Sequence, residues 1–352
     1  MRISARIQAS ILTILAALAC QAQQQPVEGT SYYLPKTALR ISVLQEKTTF
    51  SPGEYARYAG RYMKLPVREE EETTYRIVGV QISSFAMPDS ARHYQAIIDK
   101  KHTLISLERD ENGILKAINT KGKSITTPAA FVPSPQPAPL NPRDFMTEEI
   151  LSAASSAKMA ELIAREIYDI RESRNMLSRG EAEFMPKDGE QLRLMLDNLQ
   201  QQEQALLQMF AGTTKVDTTE HTFVYVPTPA AEEDILFRFS RHLGLVDNDD
   251  LAGEPYYIHV VNQNIQPKLE YTIEEAAKRS KEDIGINVCL PGRIVVTVGN
   301  DENTWATMET MAAQFGRVEN LSANLFSKKY MTRIVLNPIT GTVEQLLTEP
   351  LE

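Results

Sequence analysis

Hydrophobic and polar positions alternate with period two early in the chain, recur at spacings of three and four in the middle, and return to short alternating runs near the end. Leu39, Ile41 and Val43 alternate with Arg40 and Ser42, the pattern of a half-buried strand. Ser51-Pro52-Gly53-Glu54 then opens a short helix with Tyr55, Tyr58, Ala59 and Tyr62 on one face. Tyrosines at helical spacing predict a face that docks on a sheet, with a sugar-binding platform as the other reading. Glu69-Glu70-Glu71-Glu72 predicts a solvated loop, since four adjacent like charges cannot share a packed site without partners. Residues 73–85 follow as a strand. The runs 104–107 and 114–117 flank Asp110-Glu111-Asn112-Gly113, and Asn-Gly tolerates the positive φ angles of a hairpin turn. Pro128, Pro133, Pro135, Pro137, Pro139 and Pro142 then remove backbone donors over a short span, which predicts an extended connector.

Beyond Thr147 the period is helical. Ala153, Ser156, Ala160, Ile163, Ile167, Ile170, Arg174 and Leu177 form a seam that wants a partner helix. Asp188 has the character of an N-cap with Gln191 three residues on, and Leu192, Met195, Leu199, Gln202, Leu206 and Met209 repeat the spacing until Ala211-Gly212. Two such helices predict an antiparallel hairpin. Glu161, Arg165, Asp169, Arg171, Glu172 and Arg174 are read as lining its outer faces. The last part holds strand candidates at 222–226, 235–240, 256–262, 284–290, 294–298 and 333–336, and Asn337-Pro338-Ile339-Thr340-Gly341 looks like a closing turn. The pattern therefore predicts an α+β protein: two β-rich regions, sandwich or barrel-like, with an antiparallel helical hairpin between them. Its segments are a signal peptide at 1–22, an N-terminal β-rich domain at 23–127, a proline-rich linker at 128–145, the hairpin at 146–212 and a C-terminal β-rich domain at 213–352.

The signal peptide is read from Arg2 and Arg6 without an acid, the apolar stretch from Ala9 to Ala19, and small residues at Ala19 and Ala22. A membrane-spanning helix needs about 20 apolar residues, so this segment is expected to be removed after export. The alternative is lipidation of Cys20, because a small residue precedes it, although the Leu three positions earlier in a lipobox is missing. The whole chain has net charge −9; the signal holds two of its positive charges and no acid, leaving 35 basic against 46 acidic side chains, a net of −11. So acidic a surface repels nucleic acid and anionic membranes. No nucleic-acid partner is expected, and a membrane only if Cys20 is lipidated. Cys20 and Cys289 are the two cysteines of the chain, so cleavage leaves one. That excludes a disulfide framework or cysteine metal site, and Cys289, within the strand-like Ile286-Asn287-Val288-Cys289-Leu290, is read as a buried inert thiol.

Asp247-Asn248-Asp249-Asp250 is the best metal candidate, but a calcium loop counted from Asp247 would need Gly sixth and Glu twelfth, where Ala252 and Ile258 stand. It is read as an acidic loop capping local amides. His93, His102, His221, His242 and His259 lack a zinc-hydrolase spacing, and neither a G-x-S-x-G elbow nor a phosphate-loop run occurs. No catalytic, cofactor or metal residue is therefore assigned, and the balance leans away from an enzyme.

Tyr33-Leu34-Pro35-Lys36-Thr37, Pro52-Gly53-Glu54-Tyr55 with Arg61-Tyr62, Ile167 through Arg174, Pro291-Gly292-Arg293 and Ala313-Gln314-Phe315-Gly316 together resemble a domain-of-unknown-function family of exported Bacteroides-type envelope proteins. The resemblance covers nearly the whole mature chain and implies a periplasmic or cell-surface setting in a diderm gut bacterium. It brings no activity, cofactor or catalytic residue. Asn287-Val288-Cys289-Leu290 departs from the tyrosine-rich strand that the family places before Pro291-Gly292. The expected function is a non-enzymatic binding or scaffold module of the envelope, with an envelope protein or a glycan as partner and Arg171, Glu172 and Arg174 as contact. Ion pairs that pin the hairpin are the competing reading of those three residues. A periplasmic hydrolase of glycan or peptide, with carboxylates assembled by the fold, is the alternative.

Overall fold

The alternation at residues 39–43 is the middle of a 23-residue strand, β1 (Gly29–Ser51). It pairs antiparallel with the 26-residue β2 (Glu72–Ile97), from Gly29 opposite Ile97 to Phe50 opposite Glu72. The computed structural model describes residues 29–97, 102–125, 128–136, 138–186, 188–229, 233–263, 272, 274–275 and 283–351; the expected signal peptide at 1–22, with Cys20, lies outside them. Next comes the expected short hairpin of β3 (Leu107–Arg109) and β4 (Leu115–Ile118). In its turn Gly113 has φ +81°, and the Asp110 carboxylate accepts from the amides of Asn112 and Ile114 at 2.9 and 2.8 Å. The described part of the proline-rich connector has no helix or strand before Pro142 and lies along the next edge strand, β5 (Thr213–Tyr225), where the Phe131 amide donates to Glu220.

Three antiparallel sheets result. Their orders are β2-β1-β5; β10-β9-β8-β6-β7; and β12-β11-β4-β3. The later strands are β6 (Glu233–Ser240), β7 (Gly244–Val246), β8 (Glu254–Asn262), β9 (Asp283–Gly299), β10 (Thr304–Ser322), β11 (Tyr330–Leu336) and β12 (Val343–Pro350). Strands from the two β-rich stretches thus share sheets: β1 pairs with β5, and β4 with β11. The first two sheets sandwich one core, in which Leu39, Ile41 and Val43 meet Phe237, Tyr256, Ile258, Ile294, Val296 and Val298. There Phe223, Phe237 and Tyr256 stack with successive centroid distances of 5.1 and 4.7 Å. A second core joins Tyr32 and Leu34 to Leu115, Ile118, Ile286, Val288, Phe326, Ile334 and Leu336. The buried Tyr32 hydroxyl donates to the Gly285 carbonyl at 2.9 Å and accepts from the Asn287 amide at 2.6 Å.

The runs 284–290 and 294–298 are one strand, not two. Pro291-Gly292 lies within β9 where the pairing with β10 shifts between Ala312 and Arg317, and an irregularity of this kind accommodates a residue with no amide to donate. A β-carbon on Gly316 would sit 1.8 Å from the Leu290 carbonyl oxygen, so the strands cross too closely there for any side chain.

The helices are α1 (Ala56–Tyr62), the single turn α2 (Glu148–Leu151), α3 (Ser156–Arg179) and α4 (Gly189–Ala211). Ser155 caps α3 by accepting from the Lys158 amide, and Gly180 closes it in the left-handed region at φ +76°. Asp188 caps α4 as its sequence predicts, accepting from the Glu190 amide. The helices share a third core of Tyr55, Ala59, Met63, Ile150, Ala160, Ile163, Ile167, Ile170, Leu206 and Phe210. Two expectations are corrected here. The tyrosine face of α1 docks on α3 and α4, not on a sheet. The buried stripe of α4 is Glu203, Ala205, Leu206 and Phe210, while Met195 is exposed and Leu192, Leu199, Gln202 and Met209 are half-buried. Its inner end packs against α1 and the preceding 3-10 turn as well as α3, which widens the covered face.

Candidate binding surface on the helical module

Arg171 and Arg174 lie one turn apart on α3 and converge on one carboxylate of α4. Arg171 Nε is 2.6 Å from Glu203 Oε1, and Arg174 Nη1 is 2.6 Å from Glu203 Oε2. Glu203 is buried, whereas the two arginine side chains are about a third exposed. Instead of lining an outer face, both arginines tie the two helices together; Glu172 stays exposed on α3. Nothing in the apolar periodicity marked Glu203, because a buried acid in an amphipathic stripe looks like one more polar position.

Next to this clamp, α1 and α3 form an arginine and tyrosine face. The Tyr58 and Tyr62 rings are 6.2 Å apart. Arg57 lies over Tyr58 at 5.8 Å, Arg61 over Tyr62 at 5.2 Å and Arg171 over Tyr168 at 5.7 Å. Tyr168, 45 % exposed, donates to the Tyr62 carbonyl at 3.2 Å, joining the two helices into one surface. Arg57, Arg61 and Arg165 are exposed on it. The Lys158 ammonium, bonded to Glu161 at 2.9 Å, holds that carboxyl below its ordinary range, and Arg165 and Arg61 add to the effect. Three cations therefore act on this one carboxylate.

A cavity of about 460 Å³ opens at the other end of the module, lined among others by Glu54, Tyr55, Arg143, Ser155, Met159 and Met209. Tyr55 donates to Glu54 at 3.0 Å; burial and that bond push its hydroxyl up to about 12. Another, of about 440 Å³, lies between Phe50, Leu65, Pro66, Val67, Arg68 and Ala211, with Arg68 over the Phe50 ring at 4.7 Å. Among the described residues, Glu54 is the sole carboxylate lining the first, and the second has none. Neither brings together, among the described residues, the two acids that glycoside hydrolysis uses.

Elsewhere, Cys289 is buried and desolvation pushes its thiol up to about 11, opposite to what a nucleophile needs. In the acidic loop Asp250 accepts from the Ala252 amide at 2.9 Å, as a local cap does. Among the described residues, no group of three or more His, Cys, Asp or Glu side chains is placed to hold a metal ion, and no helix is long and apolar enough to cross a membrane.

Neither a curated protein nor a solved structure matches the chain. A family model described as a domain of unknown function, DUF4831, matches residues 28–344, and the chain belongs to that family.

Proposed function

We propose that this is an exported cell-envelope protein working as a non-enzymatic binding module, its β-sheet body carrying a helical module whose arginine and tyrosine face takes an acidic glycan. The observation that carries this reading is the exposed set Arg57, Arg61 and Arg165 around Tyr58, Tyr62 and Tyr168, in a chain of net charge −9. Guanidinium forks match carboxylates in two-point hydrogen bonds, and aromatic faces offer rigid apolar area to the C–H side of a sugar ring. The hydrolase alternative has less support, because among the described residues neither cavity pairs carboxylates.

Calorimetric titration with an oligogalacturonate and with a neutral oligosaccharide of equal length tests the proposal. The acidic sugar should bind, weaken as salt is raised, and lose at least about tenfold in affinity in Arg57→Glu/Arg61→Glu, a change of about 1.4 kcal/mol. Equal binding of the neutral sugar, or no binding of either, refutes it. Export is tested by the mass of the mature N-terminus: a start at Gln23 or an acylated Cys20 supports it, and a retained Met1 sinks it.

A further inference from the structure

The cavity beside Tyr55 is lined by two charges of opposite sign that the chain leaves unpaired. Glu54 and Arg143 both face it, and neither joins an ion pair among the described residues. Both nonetheless act on one atom, the Tyr55 hydroxyl. It donates to Glu54 Oε1 at 3.0 Å and lies 2.7 Å from the Met159 sulfur. Burial and the Glu54 carboxyl raise that hydroxyl, and the field of the Arg143 guanidinium works against them. Between the charges the lining is largely apolar: Met146, Met159 and Met209 are half-buried there, and Leu151 is 55 % exposed. At about 460 Å³ the space falls in the range of about 300–1,000 Å³ that small-ligand sites occupy. Methionine side chains adapt readily to an irregular apolar guest.

We propose that this cavity binds a short apolar peptide with both ends free, its terminal carboxylate on Arg143, its terminal ammonium on Glu54 and its side chains among the three methionines. A guanidinium fork matches a carboxylate in two-point hydrogen bonds, and a carboxylate accepts from an ammonium in bonds of similar strength. The bond from Tyr55 occupies Glu54 Oε1 and holds the carboxylate at the cavity, which leaves Oε2 for the ligand. A ligand of one sign would satisfy one of the two charges and be opposed by the other. A neutral apolar ligand would strip water from both charges and replace none of it. A ligand that carries both charges with apolar surface between them matches the whole lining. The inference is independent of the glycan reading, because the cavity opens at the other end of the helical module from the arginine and tyrosine face.

Methyl NMR of the whole chain with labelled methionines is the test. The probes are leucyl-leucine, its N-acetyl form, which lacks the ammonium, and its C-terminal amide, which lacks the carboxylate. Leucyl-leucine should shift the methyl signals of Met146, Met159 and Met209 saturably, and each blocked form should bind at least about tenfold more weakly. In Arg143→Gln the amide should bind as well as the free dipeptide, and in Glu54→Gln the N-acetyl form should do so. Both side chains are exposed, so both variants should keep the wild-type thermal transition. No saturable shift at these three methyls, blocked forms that bind as tightly as the free dipeptide, or variants that still discriminate as the wild type does overturn the proposal.

Discussion

Substituting Glu203→Gln keeps the shape of the side chain and removes the charge on which two guanidiniums converge at 2.6 Å each. A hydrogen bond to a charged group contributes about 1.5–3 kcal/mol, and removing one partner of a fully buried ion pair costs about 3–5 kcal/mol. Here the arginines are 33 and 35 % exposed and can turn toward water, so the loss should be nearer about 2 kcal/mol. The reverse change is harsher. Arg171→Met/Arg174→Met strands a carboxylate that is only 11 % exposed, at a cost of about 3–5 kcal/mol, and adding Glu203→Met to it should recover much of that loss. Native-state hydrogen exchange reads the effect locally: α3 and α4 amides should open more easily while β8 and β9 amides keep their protection. A change below about 0.5 kcal/mol on the helices, or an equal loss across the sheets, would refute the claim that this carboxylate holds the hairpin together.

Three further outcomes are expected. Tyr32→Phe strands the Asn287 amide and the Gly285 carbonyl inside a core, so a denaturant midpoint should register a loss of about 1–3 kcal/mol; an unchanged midpoint argues that water replaces the hydroxyl. Gly316→Ala forces its β-carbon against the Leu290 carbonyl, and soluble yield with thermal melting should show a loss of more than about 3 kcal/mol. Alkali should destabilise the fold. Burial raises Cys289 to about 11, burial with the bond to Glu54 raises Tyr55 to about 12, and burial also raises Tyr32 and Tyr225. These groups stay protonated in the native state, so their contribution is complete below the ordinary thiol and phenol values of 9.0 and 10.0 and is lost as pH rises through the raised ones. Tm should hold from neutral pH to about 9 and fall beyond it; a flat profile to pH 11 contradicts the burial of these groups.

What the sequence made legible was local. The Asn-Gly turn, the cap at Asp188 and the stop at Gly212 depend on a few neighbouring residues, and helical spacing along α3 placed Ala160, Ile163, Ile167 and Ile170 in the core. Pairing between distant strands was not legible. β10 mixes threonine, methionine, alanine and glutamine without alternation, and β12 is exposed along nearly its whole length, so neither has the half-buried pattern that marks a strand. Pro291-Gly292 reads as a break, and only the partner strand shows that β9 continues through it. The candidate surface was half visible. Its tyrosines and arginines stand out at helical spacing, but their arrangement needs α1 to lie on α3, a contact between segments about a hundred residues apart.

The sharing of sheets between early and late strands carries a kinetic consequence. Leu39 of β1 must find Tyr225 of β5, and Ile118 of β4 must find Ile334 of β11. Contacts of such long range slow folding, because loop closure comes before any pairing that rewards it. While the chain is being made, the ribbon of β1 and β2 has no opposite sheet, and Leu115 and Ile118 wait uncovered for the penultimate strand. A chain stopped short of Tyr330 should therefore fail as a whole, collecting as aggregate instead of a folded protein lacking its tail.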